Sequence, residues 1–215
     1  MLDRKLLRDL WQARAQVITI ALVVASGIAA FTASLSTYGS LRWMQQSYYD
    51  SARFAQVFAQ VKRAPSSVAP RLLQVPGVAE VETTLVYDAL LDVPEVIEPM
   101  VARMIALPAR GLPGLNRLTL MAGRWIDAPA SNQVLVNESF AKARQLKLGD
   151  SVTVLLNGKR ERLHIVGVVL SPEYILPVRA GMGHEKSFGI FCMGRERLAS
   201  VFDMEGAFNY VALRV

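Results

Sequence analysis

The apolar and polar positions of this chain fall into two regimes. From Ala15 to Leu41 there is no charged residue, and the most apolar stretch runs from Val17 to Leu35. As a helix the uncharged run would reach about 40 Å, longer than the roughly 30 Å hydrocarbon core of a bilayer. It is also longer than the roughly 7–15 residues of a cleavable signal core, which favours an uncleaved anchor. Beyond it the pattern breaks into short segments. Phe54 to Val61 alternates with the period of a strand, and Ser67 opens a short helix through Val75 with Pro70 in its first turn. Val75-Pro76-Gly77-Val78 turns into a strand through Val81, and Thr83 to Leu91 forms another.

Pro94 to Pro99 interrupts this βαββ run, and extended residues follow from Met100 to Leu107. Gln133 to Val136 reads as a strand, Asn137 as an N-cap and Glu138 to Leu146 as a helix. Ser151 to Leu156 and Arg160 to Val169 form a hairpin about Asn157-Gly158, where both positions tolerate positive φ. A loop spans Ser171 to Lys186. Then come a strand from Phe188 to Met193, a helix from Gly194 to Phe202 and a closing strand from Phe208 to Val215. The late αβ pair matches the early βαββ, so the pattern predicts one split α+β unit with a second unit inserted.

Charge orients the first regime. Arg4, Lys5, Arg8 and Arg14 precede the apolar run against Asp3 and Asp9, while Arg42 and Arg53 with Asp50 follow it. The positive-inside rule then puts the N-terminus in the cytoplasm and the rest outside. Met1 to Arg14 reads as an amphipathic helix, with Leu2, Leu6, Leu10 and Trp11 on or beside one face, suited to the headgroup layer or a cytoplasmic partner. Within the apolar run, Ala25, Ala29 and Ala33 recur four apart. They form a smooth stripe against which another helix can pack.

Composition removes several classes of function. The net charge is +6, but the basic residues are scattered and aromatics are not interleaved among them, so no nucleic-acid footprint is present. The single cysteine, Cys192, excludes an intrachain disulfide and reads as a small core residue. There is no P-loop, nucleophile elbow or His-Glu-x-x-His motif, and Gly158-Lys159 belongs to the hairpin. His164 lies in a strand. His184-Glu185 sits in a Gly-rich loop without a second histidine four residues on. These features argue against catalysis and against any cofactor. In the long loop, Tyr174, Ile175 and Met182 are apolar groups available to a partner or lipidic substrate.

Several segments, in order, resemble one known family. They are Val75-Pro76-Gly77-Val78, Gly123-Arg124-Trp125, Gln133-Val134-Leu135-Val136-Asn137, Leu146-Lys147-Leu148-Gly149-Asp150-Ser151-Val152 and Val166-Gly167-Val168-Val169. Behind an N-terminal membrane helix, this series resembles the N-terminal portion of MacB/FtsX-type ABC transporter permeases. The exported part resembles their MacB-like periplasmic core domain.

The resemblance implies an α+β fold with one N-terminal transmembrane helix and a two-lobed periplasmic domain. A porter-like lobe would occupy residues 51–92 and 186–215, with an inserted β-rich lobe at 93–185. Residues 1–14 would be cytoplasmic, 15–41 membrane-spanning and 42–215 periplasmic, in a bacterial inner membrane. The implied partners are a separate cytoplasmic ABC ATPase touching Leu2, Leu6, Leu10 and Trp11, a second permease copy, and a periplasmic adaptor or chaperone. Family members carry three further membrane helices after the domain, which are absent here, so the chain is expected to be a fragment. The competing expectation is a single-span periplasmic binding or adaptor module without an ATPase.

Overall fold

The computed structural model describes residues 14–92, 100–108, 111–174 and 187–215. Helix α1 (Arg14–Ser51) contains the expected span and continues ten residues past Leu41. Its most apolar window has a mean hydropathy of 2.1, and none of that window is buried within the structure. Hydroxyl groups inside the span find partners on their own helix. Thr19 Oγ1 donates to the Ala15 carbonyl, Thr32 to Ile28, Ser34 to Ala30 and Thr37 to Ala33. Such internal bonds satisfy polar groups that lipid cannot.

The chain divides into two compact units, residues 1–48 and 49–215. The second is a mixed α+β body. It contains β1 (Val57–Pro65), a 3₁₀ turn (Ser66–Val68), α2 (Ala69–Leu72), β2 (Glu80–Thr84), β3 (Val86–Asp92), β4 (Met100–Leu107) and β5 (Thr119–Gly123). After these come β6 (Gln133–Asn137), α3 (Glu138–Arg144), β7 (Ser151–Leu156), β8 (Lys159–Leu170), β9 (Phe188–Gly194), α4 (Arg195–Val201) and β10 (Ala207–Arg214).

Two sheets organise these strands. A small antiparallel sheet has the order β1-β10-β2. The larger has the order β5-β8-β6-β9-β4-β3-β7, and β7 pairs with β8 as well as with β3. That extra ladder closes six strands into a barrel, with β5 added on the far half of the long strand β8. Period-2 alternation supplies the barrel core: Ala89 and Leu91, Met100 to Ala106 at every second position, Val134 and Val136, Val154 and Leu156, Leu163 and Ile165, Phe191 and Met193. Phe140 of α3 and Leu198 of α4 complete it. Phe140 lies against Phe191 at 5.6 Å, edge to face, over Gly189, where a Cβ would stand 2.8 Å from the Phe140 ring. Closure leaves no free edge around the ring and explains why β9 is buried along its whole length.

Several expectations match at the level of elements, with differences at their ends. Asn157 (φ 46°) and Gly158 (φ 78°) make the two-residue hairpin joining β7 to β8. Asn137 does precede α3, but its side chain does not cap it. Its Oδ1 accepts from the Ile190 amide at 2.8 Å and its Nδ2 donates to Ser139 Oγ, so it ties β6 to β9. Ser67 caps nothing either: the segment is a 3₁₀ turn followed by a four-residue helix.

The expected split into residues 51–92 with 186–215 and an insert at 93–185 does not coincide with the sheets. Strands β3 and β9 pair within the barrel, and the small sheet holds only β1, β2 and β10. The cause is Leu85, fully buried, where the chain leaves β10 and passes to β4. Alternation from Thr83 to Leu91 is unbroken across that point, so the pattern reads as one strand where there are two.

Candidate functional site

The most connected place in the second unit is where the chain leaves α1 and joins the small sheet. Asn116 is its hub. Asn116 has positive φ (50°), a conformation asparagine tolerates better than most residues. Its Oδ1 accepts from the Ala55 amide at 2.9 Å, and its Nδ2 donates to Glu173 Oε2 at 2.9 Å. The main chain adds two ties, with the Asn116 and Arg117 amides donating to the Arg53 and Ala52 carbonyls. Gln56 N donates to the Leu213 carbonyl, and Arg53 pairs with Glu80 of β2. Ala55, Leu115 and Ala212 fill the space between as a small buried cluster.

An aromatic ladder runs through the same place. Tyr49 and Phe54 have ring centroids 4.6 Å apart, Phe54 and Phe58 5.6 Å, and Phe58 and Tyr210 6.3 Å. Tyr210 ends the ladder by donating its hydroxyl to Glu173 Oε1 at 2.5 Å. Both Glu173 oxygens are therefore filled by donors. Burial and this carboxylate together push the Tyr210 phenol well above its usual range.

Tyr210, Glu173 and Asn116 line a small cavity of about 60 Å³ between the two sheets. Glu82 also faces it. Its carboxylate accepts from the Gly114 amide at 2.9 Å, and desolvation pushes its pKa up against those amide bonds and the charge of Arg195. Cys192 lies on the barrel side, where burial pushes its thiol up to about 12. The arrangement offers no nucleophile next to a base: the thiol is held protonated and the carboxylate is occupied. Among the described residues no cluster of His, Cys, Asp and Glu could hold a metal.

The joint between the sheets is clamped on other sides too. Asn209, buried in β10, exchanges both hydrogen bonds with the Val86 main chain, at 2.8 and 2.9 Å. Arg195 donates to the Thr83 and Ala207 carbonyls, and Thr84 Oγ1 to the Ala106 carbonyl. What these groups supply is stiffness.

Of the residues singled out from sequence, Tyr174 is half-buried and packs against Val101, Phe188 and Ile190 of its own barrel. Its ring lies 6.0 Å from the Arg103 guanidinium, and burial raises its pKa. It is therefore not a free loop side chain. Ala25, Ala29 and Ala33 are exposed along α1. Leu2, Leu6, Leu10, Trp11, Ile175 and Met182 lie outside the described residues, as does the His184-Glu185 pair. Asn116, Glu173 and Tyr210 were not anticipated. The one sequence cue was an Asn two residues after Gly114, a residue type that tolerates positive φ, in the Pro- and Gly-containing loop before β5.

The family model of the MacB-like periplasmic core domain matches residues 17–192. The chain belongs to this family. The match begins inside α1 and ends in β9, so the MacB-like domain includes both the apolar helix and the barrel. A comparison with curated proteins returns no match. Among solved structures, the MacB-like chain is similar to the extracellular domain of the noncanonical ABC-type transporter YknZ from Gram-positive bacteria. That match has 12% identity and TM-score 0.45, covering 74% of this chain and 81% of the other. It is also similar to the periplasmic region of MacB from Actinobacillus actinomycetemcomitans, with 13% identity, TM-score 0.41, and 70% and 64% covered. A domain of a putative permease protein from Porphyromonas gingivalis matches at 19% identity and TM-score 0.37, with 73% and 64% covered.

Proposed function

We propose that this permease-type component couples ATP hydrolysis by a separate cytoplasmic ATPase to movement of its exported domain, in export or extraction of a substrate. The supporting observation is the joint at Ala52–Gln56, where the residues directly after an apolar helix are tied to the small sheet and to the loop ahead of β5 in a MacB-like domain. In this reading residues 1–14 are cytoplasmic, 15–41 span the inner membrane of a bacterium and 42–215 are periplasmic. Leu2, Leu6, Leu10 and Trp11 touch the ATPase, and Ala25, Ala29 and Ala33 pack against helices of a second copy. Ile175 and Met182 face a periplasmic partner or substrate.

The test is co-purification of the full chain, tagged at its N-terminus, with the products of its neighbouring genes. Recovery of a P-loop ATPase with a second copy of the chain supports the proposal. A chain recovered without any ATPase, bound to a periplasmic protein, refutes it and favours an adaptor module. The stripe has its own test. Cysteines replacing Ala25, Ala29 or Ala33 should cross-link two copies in membranes, while cysteines at Ile20 and Phe31, on the opposite face of the helix, should not.

A further inference from the structure

Away from the cavity, a cleft of about 580 Å³ opens between the small sheet and the barrel. The cleft is open to solvent rather than enclosed. Gln60 and Lys62 of β1 form one wall; Tyr87, Asp88 and Arg103 form the other; Asn209 lies at the floor. The first wall is built by an irregularity. Gln60 pairs with Tyr210 and Ala64 with Phe208, so three residues of β1 stand opposite one of β10. The bulge carries Val61, Lys62 and Arg63 out of the ladder and puts Lys62 on the lining of the cleft, a use bulges commonly have beside binding sites. Arg63 lies close enough to Tyr87 for its charge to act on the phenol.

Charge in the cleft is unbalanced. Lys62 and Arg63 make no ion pair among the described residues. The carboxylate of the far wall, Asp88, is held by Arg103 through two bonds of 2.8 and 3.1 Å. Arg103 is fixed in turn by the Phe188 ring, 5.3 Å away. Among the described residues two cations, Lys62 and Arg103, line the cleft with one carboxylate, Asp88, and Arg63 stands beside its Tyr87 ring, itself stacked on Phe202 at 3.8 Å.

We propose that this cleft docks an acidic, extended segment of a partner protein, with its carboxylates on Lys62 and Arg63 and its chain lying across Tyr87. The concave shape is what selects a peptide. A flat anionic membrane could meet Lys62 and Arg63 but could not reach Arg103 behind Asp88. The inference stands independently of ATPase coupling.

The test uses the full chain in neutral detergent and a fluorescein-labelled peptide alternating Glu and Ser, followed by anisotropy. Saturable binding that weakens with added salt is expected, because exposed charge pairs are screened. Lys62→Glu with Arg63→Glu should weaken it about tenfold or more, whereas Lys159→Glu, on the β7–β8 hairpin, should leave it unchanged. Asp88→Asn should tighten binding by releasing Arg103. Since Lys62 and Arg63 are exposed, circular dichroism should show the charge-reversed variant folded. The proposal is overturned if the peptide does not bind, if Lys159→Glu weakens it equally, or if Asp88→Asn leaves affinity unchanged. It is also overturned if phosphatidylglycerol vesicles displace the peptide through Lys62, which would make the patch a membrane contact.

Discussion

Replacing Asn116 by alanine tests whether the joint is held as described. The variant loses two side-chain bonds, and the Ala55 amide, in a residue with no exposed surface, loses its acceptor. Leaving a buried donor unmet costs about 1–3 kcal/mol. Alanine must also hold a φ of 50°, which costs a non-glycine residue about 1–2 kcal/mol. The sum is about 2–5 kcal/mol, and the freed Glu173 adds little because it is partly exposed and water takes its second bond. At about 2–4 °C per kcal/mol for a domain of this size, melting should fall by roughly 4–20 °C.

Glycine at the same position separates the two costs. It accepts the backbone angle but cannot bond, so Asn116→Gly should fall between the wild type and Asn116→Ala. The assay is thermal unfolding of the full chain in detergent by near-ultraviolet circular dichroism, which reports packed aromatic rings. A melting temperature for Asn116→Ala within about 0.5 kcal/mol of wild type, the usual scatter of surface substitutions, would refute the account. Equal losses for alanine and glycine would refute the backbone part alone.

Three further outcomes follow from other groups. Glu82 is raised above 4.5 in the fold, so its favourable contribution is fully present below that value and lost as pH rises through the folded pKa. Glu82→Gln should therefore stabilise the domain near neutral pH, with the gain fading below 4.5; parallel pH curves for the two proteins would contradict this. The buried Cys192 thiol should resist a thiol reagent until the domain unfolds, so rapid labelling of the native chain would show that the barrel wall opens. Gly194→Ala would press a methyl group into the Pro129 main chain, whose Cα lies 2.6 Å from the new carbon. Overpacking of this kind costs about 1–3 kcal/mol, and unchanged urea unfolding would mean that the Pro129 loop yields freely.

The sequence alone determined whatever depends on neighbours along the chain. An uncharged run too long for a globular helix, a two-residue Asn-Gly turn and period-2 alternation each act over a few residues. These produced α1, the hairpin and most strands near their true limits. The family resemblance was legible for the same reason, since it rests on short segments in order. Partner choice was not legible. Nothing near Leu85 states that the strand before it pairs with β10 and the strand after it with β4, because both sides alternate alike. The ladder between β3 and β7, which completes the ring together with the β7–β8 hairpin, joins residues far apart in sequence, so only the tertiary structure decides that a sheet becomes a barrel. The joint has the same origin. Asn116, Glu173 and Tyr210 are ordinary polar residues until the fold brings their donors and acceptors within 3 Å of one another.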